Sequence, residues 1–179
     1  MVYDKILINA QQLDQSVAAI AERLVREYAS PDNLLAMVIL EGARIFSDAL
    51  FAKMPYPVPV EYLKISSYHG GTKSTGEVIL HFPDTLCDQI RDKDILIIDD
   101  IYDTGLTLAS LMEHVAKCKP RTVKTCILLE KQVPHTKNIS IDFLGRYVEN
   151  EFVIGYGLDY KNQYRELPFV ATLRKELIR

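Results

Sequence analysis

Three carboxylates and two hydroxyls crowd one short stretch of the chain: Asp99, Asp100 and Asp103, then Thr104, Gly105 and Thr107. They follow the apolar run Ile95, Leu96, Ile97 and Ile98 and precede a helical pattern. In open α/β sheets, ligands sit beyond the carboxyl ends of strands, where loops meet helix starts. A glycine-bearing turn there lets backbone N–H groups converge, and the helix N-terminus adds partial positive charge. The threonine hydroxyls add donors, so the stretch suits a phosphate monoester. Carboxylates beside a phosphate are costly unless they accept hydrogen bonds from sugar hydroxyls or hold a divalent cation, and magnesium takes oxygen ligands. The plain alternative is that the aspartates cap the helix and fill a turn. Three of them at the end of a buried strand, mixed with Thr-Gly-x-Thr, weigh against it.

The surrounding pattern supplies elements to hold such a turn. Leu13, Val17, Ile20, Leu24 and Tyr28 recur at helical spacing, which predicts an amphipathic helix over about residues 12–29. Residues 34–40 form a continuous apolar run of strand length, suited to a sheet buried on both faces. Gly42 follows, then a short helical pattern with Ile45, Phe46, Ala49 and Leu50. Residues 60–66 and 77–82 read as two strands of a long hairpin. Between them lies a stretch rich in Gly, Ser and Thr, a composition typical of mobile functional loops. After Thr107, Leu108, Leu111, Met112, Val115 and Cys118 mark a helix that Pro120 closes. Residues 123–130, 139–144 and 152–157 are further strand candidates. Strands alternating with helices give an α/β class with a twisted, mainly parallel sheet flanked by helices.

Composition narrows the classes. A length of 179 residues fits one domain, expected to span 1–179. The net charge of −3, without a basic stripe, argues against a nucleic-acid surface. It does not argue against anionic small substrates, which backbone amides and a metal ion can hold. No apolar stretch approaches the ~18 residues of a membrane span, and the start reads as no signal peptide. Cys87, Cys118 and Cys126 are odd in number and lack a CxxC spacing, which predicts reduced thiols in a cytoplasmic protein. His69, His81, His114 and His135 show no metal-ligand spacing and read as surface or structural.

Residues 95–107, Ile-Leu-Ile-Ile-Asp-Asp-Ile-Tyr-Asp-Thr-Gly-Leu-Thr, resemble the phosphoribosyl pyrophosphate signature of type I phosphoribosyltransferases. The resemblance implies that family's fold, with a small hood and a flexible hairpin loop. It implies that Asp99 and Asp100 bind the ribose hydroxyls with Mg2+, that Asp103, Thr104, Gly105, Leu106 and Thr107 hold the 5-phosphate, and that Asp103 is the general base. Residues 128–134, 151–160 and 162–167 are similar to the hypoxanthine-guanine branch. By that similarity Lys131 bonds the purine 6-oxo group, Phe152 stacks on the purine and Val153 meets its edge through its backbone. Asp159 ligands a second magnesium or reads the exocyclic amine side, and Arg165 holds pyrophosphate. Leu40, Glu41 and Gly42 fall at the family's pyrophosphate turn, often built around a cis peptide. An acid beside pyrophosphate is unfavourable, so only the backbone of that turn is credible as a ligand. Ser67 and Tyr68 fall in the loop that closes over the reacting centre. A homodimer or homotetramer follows from the resemblance alone.

The implied reaction replaces pyrophosphate at ribose C1 by a 6-oxopurine, through a state with oxocarbenium character. A lysine only donates, so it favours an oxo acceptor over the amino group of adenine. A nucleotide-sensing, nucleic-acid-binding protein on the same fold is the rival of another class and should show a basic face. A transferase for xanthine is the rival among enzymes.

Overall fold

The computed structural model describes residues 1–67, 78–80, 82 and 85–178, with the side chains of 66, 67 and 78–80 excepted. Tyr68, His69 and the rest of the expected loop over 68–76 lie outside the described residues.

The apolar runs become the central strands: β1 is Tyr3–Ile8, β2 Leu34–Leu40, β3 Val60–Ser67, β4 Val78–Leu80, β5 Asp94–Tyr102, β6 Thr122–Lys131, β7 Phe143–Val148, β8 Val153–Ile154 and β9 Val170–Leu173. The helices are α1 Ala10–Glu27, α2 Ala43–Phe51, α3 Leu86–Ile90 and α4 Leu106–Lys117. The main sheet runs β4-β3-β2-β5-β6-β7, parallel except for β4, which pairs antiparallel with β3 as the hairpin reading requires. A second sheet, β1-β9-β8, is the small hood.

Period-two alternation sorts the core into two halves. Ala36, Val38, Leu96 and Ile98 turn to one face, against Leu13, Val17, Ile20 and Leu24 of α1 and Phe46 and Leu50 of α2. Met37, Ile39, Ile95 and Ile97 turn to the other, against Leu86 and Ile90 of α3 and Leu108, Leu111 and Val115 of α4. Both faces are thereby covered, which is why β2 and β5 read as unbroken apolar runs.

Strand β2 leads through α2 to its neighbour on one side, and β5 leads through α4 to its neighbour on the other. The order therefore reverses between β2 and β5, and the crevice beyond their carboxyl ends is where such sheets take ligands.

Several expectations are corrected. The first helix starts at Ala10, because Asn9 and Gln12 form a reciprocal capping box with both bonds at 2.9 Å. Strand β5 continues through the aspartates to Tyr102 rather than stopping at Ile98. Residues 139–142 precede β7 instead of opening it: Asp142 is occupied in accepting from the Thr125 N–H at 2.9 Å. The strand expected over 152–157 is only Val153–Ile154, and β1 and β9 were not anticipated. Cys87 and Cys118 are not reduced thiols; α3 packs beside the end of α4 with a Cα–Cα distance of 4.8 Å, and the two sulfurs are bonded. Cys126 is a free, buried thiol whose pKa burial raises. Among the described residues no helix is long and apolar enough to cross a membrane.

Candidate active site

Three turns meet at the switch point. The first, after β2, holds a cis peptide between Leu40 and Glu41. The second runs from the end of β5 into α4. The third follows β8 and carries Gly157, Asp159 and Arg165. Together they line a polar cleft of about 390 Å³ that includes Leu40, Glu41, Gly42, Asp99, Asp100, Asp103, Thr104, Gly105, Thr107, Asp159 and Arg165.

The turns touch at glycines. A Cβ on Gly42 would fall 1.8 Å from the Asp100 carboxylate, and one on Gly157 would fall 2.0 Å from the Gly42 carbonyl oxygen. Gly105 sits at φ 80°, ψ 0°, the left-handed region that glycine enters without cost, and is the N-cap of α4. With glycine there, no N-cap side chain satisfies the first N–H groups of the helix. The Leu106 N–H reaches the Thr104 hydroxyl at 3.4 Å, a long contact that a phosphate oxygen can replace. The turn is fastened from behind: the Lys137 N–H donates to the Thr104 carbonyl at 3.1 Å, and the Tyr102 hydroxyl donates to the Lys137 carbonyl. The same hydroxyl accepts from the Ile139 N–H at 3.0 Å.

Electrostatically the cleft is unbalanced. Asp99 is buried, and burial, followed by the negative charge of Asp100, pushes its carboxyl well above the usual range. Burial also raises Asp100, against hydrogen bonds from Asp99 and the Ile101 N–H and the field of Arg165. Each accepts a backbone N–H: Asp100 N to Asp99 at 2.9 Å and Ile101 N to Asp100 at 2.8 Å. Among the described residues neither forms an ion pair. Arg165 donates to the Gly157 carbonyl at 2.6 Å and pairs with Asp159 at 2.8 Å. The other Asp159 oxygen accepts the Asn162 N–H at 2.7 Å. The Glu41 side chain is 57% exposed and turns to Lys64 on β3, 3.7 Å away, which leaves only its backbone toward the cleft.

Lys131 is the last residue of β6, and its Nζ donates to the Asp103 carboxylate at 2.6 Å. Two sequence-predicted residues thus meet directly. Phe152, Val153 and Leu106 do not line the cleft. Phe152 is half-exposed and packs edge-on against Tyr160, with centroids 5.4 Å apart. Val153 is buried and paired with Thr172 in the hood sheet. Ser67 ends β3, and its partner in the loop expectation, Tyr68, lies outside the described residues.

Tyr102 and Glu130 carry no role in the reading of the sequence, and His135 reads there as surface or structural. Tyr102 sat inside the motif and could have been noticed; the other two are brought to the turn by tertiary packing that no local pattern announces.

A family model described as the phosphoribosyl transferase domain matches residues 4–161, and the chain belongs to that family. Within the family the relatives are specific. A Staphylococcus aureus hypoxanthine-guanine phosphoribosyltransferase is 34% identical over 173 residues, covering 97% of this chain and 95% of that protein. A Mycobacterium bovis protein of the same name is 33% identical, covering 94% and 85%. The crystal structure of a hypoxanthine phosphoribosyltransferase from Staphylococcus aureus superposes with a TM-score of 0.87 at 32% identity, covering 99% of this chain and 95% of that one. Its branch of the family is that of the hypoxanthine-guanine phosphoribosyltransferases.

Proposed function

We propose that the protein transfers the 5-phosphoribosyl group of phosphoribosyl pyrophosphate to hypoxanthine or guanine, giving IMP or GMP and pyrophosphate. The observation that carries this reading is the Lys131–Asp103 pair at 2.6 Å beside the phosphate turn. On a 6-oxopurine, O6 and N7 share one edge. A donor-only ammonium suits O6, and a neighbouring carboxylate can take a ring proton as the base becomes nucleophilic. Adenine offers an amino group where the lysine needs an acceptor, and leaving a buried charged donor unpaired costs about 1–3 kcal/mol or more.

Thr104, Gly105, Leu106 and Thr107 hold the 5-phosphate, and Asp99 and Asp100 accept from the ribose hydroxyls. Backbone N–H groups of residues 40–42 and the Arg165 guanidinium hold the pyrophosphate. Phe152 stacks on the purine, Val153 meets its edge, and Ser67 and Tyr68 belong to the segment that covers the reacting centre. The adjoining carboxylates of buried Asp99 and half-buried Asp100, without an ion pair among the described residues, fit a magnesium ion. Magnesium bound there supplies charge neutralisation for the departing pyrophosphate. Asp159, whose two oxygens here pair with Arg165 and accept the Asn162 N–H, would ligand a second magnesium ion or meet the exocyclic amine side of the purine through its backbone. Assembly as a homodimer or homotetramer completes the reading, supported by the family resemblance; the Cys87–Cys118 bond removes the thiol argument for a cytoplasmic setting.

The test is turnover. The protein mixed with phosphoribosyl pyrophosphate, a magnesium salt and hypoxanthine or guanine releases pyrophosphate, and adenine is turned over far more slowly. No release with either oxopurine would sink the proposal. Xanthine in a parallel assay separates the rival base.

A further inference from the structure

His135 lies beyond β6, outside the cleft lining, and packs against the wall of the phosphate turn. Its side chain is 13% exposed and that of Glu130 is 19% exposed. Its ring rests on Tyr102 with centroids 4.2 Å apart. Nδ1 meets the backbone carbonyl oxygen of Asp103, and Nε2 meets Glu130 Oε1 at 3.3 Å. A carbonyl oxygen only accepts, and so does an ionised carboxylate. A neutral imidazole has one N–H and would turn a lone pair toward one of these oxygens. The imidazolium has two and satisfies both.

Asp103 is therefore gripped at two atoms. Lys131 holds its carboxylate at 2.6 Å, and His135 holds its carbonyl. The grips differ in what the reaction asks of them. Lys131 must turn to the purine oxygen and Asp103 must accept a proton, so the first contact is given up during turnover. The carbonyl takes no part in the chemistry, so the second contact persists. The charged groups around the ring are Glu130 and Lys131 from β6 and Asp103 from the turn, with the Tyr102 ring tilted against it at 39°.

We propose that His135, as an imidazolium bridging Glu130 to the Asp103 carbonyl, is a positioning residue that keeps the base aimed once Lys131 has left it for the purine. The inference rests on the roles given to Asp103 and Lys131 in the proposed function. It predicts a split between chemistry and binding, because only the aim of the carboxylate changes; misplacement by about 1 Å can cost up to ~100-fold in rate.

Steady-state rates with hypoxanthine, phosphoribosyl pyrophosphate and magnesium chloride test it in the wild type, His135→Phe, His135→Asn and Glu130→Gln. His135→Phe loses roughly 10- to 100-fold in kcat while both KM values stay within about threefold. His135→Asn, whose amide N–H can donate from near the Nδ1 position, recovers most of kcat, and Glu130→Gln falls between. Nitrogen-15 NMR of the wild-type protein at about pH 7 shows both His135 ring nitrogens protonated. Wild-type kcat in His135→Phe, an equal loss in the Phe and Asn variants, or a singly protonated ring each overturns the inference. The NMR measurement decides it even if a variant does not fold. A wild-type protein without turnover fails the functional reading and this inference together. Wild-type turnover with an unaffected His135→Phe fails the inference alone.

Discussion

Asp94 and Asp99 lie on one strand and both are buried, but the protein treats them differently. Asp94, where β5 begins, accepts from Arg121 Nε at 2.9 Å and from the Thr122 hydroxyl at 2.7 Å, and Arg121 Nη2 binds its other oxygen. The Arg121 hydrogen bond, reinforced by Thr122 and by positive charge, outweighs burial and holds its carboxyl below the usual range. Asp99, at the carboxyl end, receives one backbone N–H and faces a second carboxylate. A buried acid with both oxygens paired is a structural fastener. A buried acid left short of partners, beside another like it, is a place where something else binds. The contrast locates the working end of the sheet without reference to any relative.

Three substitutions sharpen or break that contrast. The largest effect belongs to Asp103→Asn, which keeps the shape and removes the base: kcat should fall about 10²- to 10⁴-fold while GMP still binds, checked by steady-state rates and calorimetry. An unchanged rate would remove Asp103 from the role. Next comes Asp94→Asn, which should cost about 2 kcal/mol of unfolding free energy at neutral pH, read from urea melts. The sign follows from its depressed folded value. The contribution is complete above the unfolded value near ~4 and fades as pH falls through the lower folded value, so variant and wild type converge in acid. The smallest is Asp99→Asn. Removing one of two crowded carboxylates should stabilise the ligand-free protein by about 1 kcal/mol, seen as a higher Tm. Loss of stability there as at Asp94 would erase the distinction between the two ends.

Much of this was readable in advance. Strands β2, β5 and β6 announced themselves because sheet strands covered on both faces are apolar throughout. The turn between β5 and α4 was legible as a candidate site because its residues are contiguous. Beyond element ends such as the start of α1, what escaped has one main physical cause, separation along the chain. Strand β1 is largely exposed and finds its partner β9 at the opposite end of the sequence, with Tyr3 opposite Leu173. The Cys87–Cys118 bond spans 31 positions with no spacing rule to betray it. The Lys131–Asp103 pair and the seat of His135 join segments 28 and 32 positions apart. Arg165 was found by resemblance, but that it arrives already engaged with Asp159 and the Gly157 carbonyl was not.

The bare contact between the turns at Gly42 and Gly157 restricts how this molecule can change. Neither position has room for even a methyl group: one at Gly157 must displace the Gly42 backbone, and one at Gly42 must displace the Asp100 carboxylate. Change must therefore come through residues with slack around them, such as exposed Phe152, while the seam between hood and sheet stays closed to drift.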